Sequence, residues 1–133
     1  MIFLLLFFFG CVRAETMILE FTLGEEATGS VRYSIHNTRD TFLKKNRPFR
    51  KAVVSVKTRT FEVPVENIPK GKYSITAYHD EDGDGELDTG FLGIPTEPVG
   101  MSNNPKGFFG PPSYDDAEFE FKANHQKIKI RLD

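Results

Sequence analysis

The chain has 133 residues, 39% of them hydrophobic and 27% charged, with a formal net charge of −2. That length leaves room for one modest core and excludes a second domain of ordinary size. A charge this close to balance provides no overall field to recruit nucleic acid, and one cysteine cannot make a disulfide framework.

The chain opens on Met1 to Phe9, an unbroken apolar run with four phenylalanines, three leucines and an isoleucine. It is shorter than the roughly 20 residues that span a bilayer, so no transmembrane segment is expected. Val12 and Ala14 stand where a leader peptidase reads small residues. Residues 1–14 therefore read as a signal peptide cut before Glu15, and residues 15–133 as a secreted or periplasmic domain. Phe8-Phe9-Gly10-Cys11 loosely resembles a bacterial lipobox, which makes a lipid anchor through Cys11 the alternative fate.

Beyond the leader, apolar residues recur at every second position. They do so in Ile18 to Leu23, Val31-Tyr33-Ile35, Val54-Val56, Phe61-Val63-Val65, Tyr73-Ile75-Ala77, Phe119-Phe121 and Ile128-Ile130-Leu132. A period of two puts alternate side chains on one face of a strand, so each segment predicts a strand with one buried face. Turn signals separate them, including Lys57-Thr58-Arg59, Pro69-Lys70-Gly71 and Asn124-His125-Gln126. The expected fold is all-β, a single antiparallel β-sandwich of about seven strands joined by hairpin-length connections. Only Thr38 to Lys45 has the makings of a helical turn. The basic run Lys44, Lys45, Arg47, Arg50 and Lys51 reads most simply as a solvated loop.

Between Thr89 and Ser113 the alternation stops, and five of the 11 glycines and five of the eight prolines gather there. A stretch this long is rare in a compact domain unless it has a function or no order. Phe91, Leu92, Ile94, Val99, Met101, Phe108 and Phe109 make it too apolar for a solvated tail. It reads as one long Gly/Pro-rich loop that either caps the sandwich or forms the rim of a glycan- or peptide-recognition surface, with Phe91, Phe108, Phe109 and Tyr114 exposed.

The segment from His79 to Asp88 packs six acids into the nine residues from 80 to 88 and sets them at alternate positions. Calcium takes six to eight oxygens at roughly 2.3–2.6 Å and needs a sharp turn after the third carboxylate. With Asp80 as position 1, Asp82 falls at 3, Asp84 at 5, Gly85 at 6, Glu86 at 7 through its carbonyl and Asp88 at 9. Position 12, the bidentate Glu of an EF-hand, is Phe91, and the segment leading in is a strand, so this is a calcium loop of another kind. Water or a remote acid such as Glu97, Asp115 or Asp116 would complete the shell. The plain alternative is a solvated hairpin tip, since Asp and Gly are good turn formers. Against it stands the mutual repulsion of so many carboxylates without a cation.

Three stretches carry a resemblance. These are Ile68-Pro69-Lys70-Gly71-Lys72-Tyr73-Ser74-Ile75 with the acidic turn behind it, Phe91-Leu92-Gly93-Ile94-Pro95-Thr96-Glu97-Pro98, and Ser102-Asn103-Asn104. Together they resemble the bacterial domain-of-unknown-function 2141 family. The resemblance implies a secreted or periplasmic domain without an assigned biochemical role. The Pro-x-Gly-x-Tyr start of a strand is also similar to prealbumin-like and Ig-like collagen-adhesin B-type sandwiches, in which that tyrosine belongs to the core.

Catalysis has little support in the sequence. The histidines are His36, His79 and His125, and none has the HExxH spacing of a zinc protease. There is no Gly-x-Ser-x-Gly elbow and no phosphate-cradling loop. His79 beside Asp80 and near Glu97 is the one arrangement from which a metal-dependent enzyme could be built. The expectation is thus a non-enzymatic, monomeric binding or structural module with calcium as its cofactor, meeting an unidentified ligand or cell-surface component.

Overall fold

The computed structural model describes residues 14–24, 27–38, 48–81, 98–105 and 114–133. Each alternating segment becomes a strand: β1 (Glu15–Leu23), β2 (Ser30–His36), β3 (Arg50–Ser55), β4 (Thr60–Ile68), β5 (Gly71–Asp80), β7 (Phe119–Phe121) and β8 (Gln126–Leu132). A further strand, β6 (Val99–Met101), and one helical turn, α1 (Tyr114–Ala117), complete the described elements. The region expected to turn helical, Thr38 to Lys45, lies almost wholly outside the described residues.

Two sheets face each other. One has the order β4-β1-β8; the other runs β3-β2-β5-β6, with β7 pairing β5 as well. The inward positions of β1 (Met17, Leu19, Phe21, Leu23) and β8 (Ile128, Ile130, Leu132) meet Val31, Tyr33 and Ile35 of β2 and Tyr73, Ile75 and Ala77 of β5 in one buried cluster. Burying side chains of this size yields about 1.5–3 kcal/mol each, so this interface is the main source of the fold's stability. The all-β sandwich expected from the period of two is therefore present.

Its connections differ from simple hairpins. The short links after β3 and β4 carry the chain from one sheet to the other rather than back beside the preceding strand. Two contacts fix the first crossing: Leu23 N–H donates to Arg59 O at 2.8 Å, and the Arg59 guanidinium returns to Leu23 O at 3.3 and 3.4 Å. β8 also runs parallel to β1, from Met17 opposite Gln126 to Leu23 opposite Leu132, so the sandwich is not antiparallel throughout. β1 and β8 lie side by side in one sheet but are the first and last strands of the chain, so no hairpin joins them and no tight turn constrains their direction.

The Pro-x-Gly-x-Tyr signature has a local cause. Tyr73 is buried in the core and its hydroxyl donates to Pro69 O at 2.6 Å, which fixes the entry into β5 in the manner of a tyrosine corner. Arg50 braces the same end, donating to Glu66 O at 2.6 Å across the gap between the sheets. Burial raises the hydroxyl pKa of Tyr33 and of Tyr73, and the positive charge of Arg50 opposes both shifts.

One edge of β5 is shared by two short strands, β7 at Gly71–Tyr73 and β6 at Thr76–Tyr78. Ser102 closes the gap between them. Its backbone N–H donates to Ile75 O at 3.0 Å, and its hydroxyl accepts from Ile75 N–H at 2.9 Å while donating to Ala117 O at 2.5 Å. The next two residues extend this staple. Asn103 donates to Asp116 O and Glu118 O, and the Asn104 amide bonds Lys129 O at 3.1 Å and Arg131 N–H at 2.9 Å, acting as a peptide unit beside β8. Both asparagines adopt positive φ, which Asn tolerates better than most residues. At Gly100 a Cβ would collide with Arg131 O, so glycine there lets β6 press against β8.

Candidate functional site at the end of the fifth strand

β5 delivers the acidic turn to one end of the sandwich. Its register opposite β2 pairs His79 with Val31 on the inward face and Asp80 with Ser30 on the outward face. Of the five acids assigned to a metal, Asp80 is the described one; Asp82, Asp84, Glu86 and Asp88 lie outside the described residues, as do Glu97, Phe91, Phe108, Phe109 and Cys11.

Asp80 is wholly buried, and Arg32 Nε donates to its Oδ2 at 3.0 Å from the neighbouring strand. A buried carboxylate needs such a partner, because desolvation otherwise disfavours its charged form. The guanidinium keeps a third of its surface in solvent, so the pair sits at the boundary between sheet and water. Gly29, at φ +72°, packs directly beneath: a Cβ there would run into Asp80 O and come within 3.0 Å of Glu81 Cα. The start of the turn is thus held by an ion pair on one side and a tight backbone contact on the other.

His79 is 1% exposed and faces the core end rather than a groove. Its Nε2 lies 2.5 Å from Thr28 O, and since a carbonyl only accepts, Nε2 carries the hydrogen. Among the described residues Nδ1 is buried without a hydrogen-bond partner, and it lies 3.8 Å from Glu81 Oε1. A groove of about 300 Å³ where β6 meets β8 is lined by Val99, Met101, Asn104, Pro105, Arg131 and Asp133, and holds no histidine. Among the described residues no three histidine, cysteine or acidic side chains stand together as a metal cluster. Asp115 and Asp116 occupy the helical turn α1. Tyr114, expected on an exposed aromatic rim, is instead buried with Ala117 against Met101.

The outward face of the larger sheet escaped the sequence reading. Beside the Arg32–Asp80 pair it carries His36 and Ser74, which are opposite each other and buried, and Thr76, whose hydroxyl lies 3.3 Å from His36 Nε2. Burial lowers the pKa of His36, because desolvation disfavours the charged ring. The signal was present in Ser74-x-Thr76-x-Tyr78: small hydroxyl and aromatic residues, not long charged ones, alternate with the core positions of β5.

A family model described as an uncharacterized protein conserved in bacteria (DUF2141) matches residues 21–129, from within β1 to within β8. The chain belongs to this family. No curated protein and no solved structure matches it. As a DUF2141 member the chain carries no inherited biochemical role, and its function must be argued from its own residues. Of the stretches that carried the resemblance, the tyrosine corner and the Ser102-Asn103-Asn104 staple fix the entry and the edge of β5, whereas residues 91–97 and the acidic turn from residue 82 on lie outside the described residues.

Proposed function

We propose that this DUF2141 chain is a secreted or periplasmic binding or structural module whose acidic turn, Asp80, Asp82, Asp84, Glu86 and Asp88, takes a calcium ion. The observation that carries the reading is the anchoring of Asp80, the turn's first acid, buried at the end of β5 and held by Arg32. A ligand already fixed by the sheet loses little freedom on binding, whereas acids on a free tip must all be ordered by the ion. Arg32 also puts a positive charge beside the ion, which weakens it. That agrees with an affinity on the order of 10⁻⁴–10⁻³ M, the range of extracellular calcium modules.

The reading is tested by calorimetric titration of the protein with calcium. One saturating ion per chain is expected, with the heat lost on combining Asp82→Ala with Asp84→Ala. Equal heats from both proteins would remove the acidic turn from consideration. Action by binding rather than by catalysis is supported by His79, which is packed against Thr28 instead of lining a groove.

A further inference from the structure

We propose a second, separate metal site at His79 Nδ1 and Glu81, suited to a divalent transition ion of the zinc, cobalt or nickel class. The tautomer is the first step. Thr28 O takes the hydrogen on Nε2, so in the neutral ring Nδ1 presents a bare lone pair. Histidines that bind metal nearly always donate their other ring N–H to a carbonyl or carboxylate, which fixes the ring and makes the ligating nitrogen more basic. His79 has that arrangement before any ion arrives.

The second step is the partner. Nδ1 is buried with no hydrogen bond among the described residues, and the Glu81 Oε1 atom faces it at 3.8 Å, beyond hydrogen-bond reach. Zinc–nitrogen and zinc–oxygen bonds of about 2.1 Å span such a separation at an angle of about 130°, and a small rotation of Glu81 reaches the tetrahedral value. The third step is access. The Glu81 side chain is 39% exposed, so the carboxylate that would share the ion stands at the boundary with solvent, while Nδ1 behind it is buried. Gly29 fixes the backbone of Glu81 from the other side.

The donor set decides the ion. An imidazole nitrogen suits zinc, cobalt, nickel and copper and is a poor ligand for calcium, which prefers oxygen throughout. This site therefore stands independently of calcium in the acidic turn. Two protein donors make it a labile, exchangeable site rather than a structural one.

The test titrates zinc and cobalt into the full chain, purified without a histidine tag, and follows the His79 ring nitrogens by long-range ¹⁵N–¹H correlation. Saturable uptake of one ion is expected, with a large shift of His79 Nδ1 alone and with Nε2 still protonated. Glu81→Gln, which keeps the size and polarity of the side chain and whose urea midpoint without metal is measured alongside, is expected to weaken zinc at least ~10-fold, a loss typical of disturbing a metal's ligand environment. His79→Gln should abolish the cobalt spectrum. Asp82→Ala with Asp84→Ala should leave zinc uptake unchanged while removing calcium, so the two sites fail separately. No saturable uptake, a shift at Nε2, or zinc binding that survives both His79→Gln and Glu81→Gln would overturn the proposal.

Discussion

Replacing Ser102 by alanine removes one oxygen from the middle of the sandwich edge, and the structure sets the consequence. Ser102 is fully buried, and its hydroxyl serves two backbone groups at once, the Ile75 N–H at 2.9 Å and the Ala117 carbonyl at 2.5 Å. An unsatisfied buried donor or acceptor costs about 1–3 kcal/mol, and the loss of a methylene-sized group adds little. Ser102 N–H to Ile75 O survives, so the staple loosens without being lost. The net expectation is about 2–4 kcal/mol. With a urea dependence of about 2 kcal/mol per molar, the middle of the usual range, the unfolding midpoint should fall by roughly 1–2 M with an unchanged slope. Asn103→Ala serves as the comparison: its amide bonds Glu118 O at 2.7 Å but is exposed, so water replaces it and the loss should stay below about 1 kcal/mol. Equal midpoints for the wild type and Ser102→Ala would refute the view that this hydroxyl holds the split edge of β5.

Two further outcomes are expected. Gly29→Ala combines a positive φ with a Cβ that meets Asp80 O, so it should cost about 1–3 kcal/mol by urea unfolding; a change under about 0.5 kcal/mol would mean that the turn is not held from below. His36 has a pKa lowered from 6.5 by burial, so the unfolded chain binds its proton more readily than the folded one. Its contribution is whole above pH 6.5 and is lost as pH falls from there through the folded value. Stability measured between pH 7.5 and 5 should therefore fall, and His36→Gln should flatten that slope; an identical slope in the variant would contradict it.

The strands were legible in the sequence because a period of two is imposed by the pleat itself, and Ile18 to Leu23 or Ile128 to Leu132 can hardly be read otherwise. Their partners were not. Short links such as residues 56–59 look like hairpins, yet whether such a turn returns beside its own strand or crosses to the other sheet depends on long-range packing, here the Leu23 contact with Arg59. β6 escaped because three residues, one of them glycine, are too few to show alternation, and its identity comes from Gly100 pressing on β8. Of the candidate site, Asp80 and His79 were legible as chemistry. Their surroundings were not, since Arg32 and Thr28 come from sequence positions about 50 residues away. Ser102-Asn103-Asn104 read as part of the long Gly/Pro-rich loop, and only the register of β5 reveals it as a structural clasp.

The most direct test of the calcium reading is a thermal melt of residues 15–133, which hold every described element, in excess EDTA, in millimolar calcium and in millimolar magnesium. A ligand at 100 times its dissociation constant stabilises by about 2.7 kcal/mol, and at roughly 1 to 10 times, as for millimolar calcium here, by about 0.4–1.4 kcal/mol. The account predicts a rise of several degrees with calcium, little with magnesium, and none with calcium once Asp82→Ala and Asp84→Ala are combined. Superimposable melts in EDTA and in calcium would contradict it.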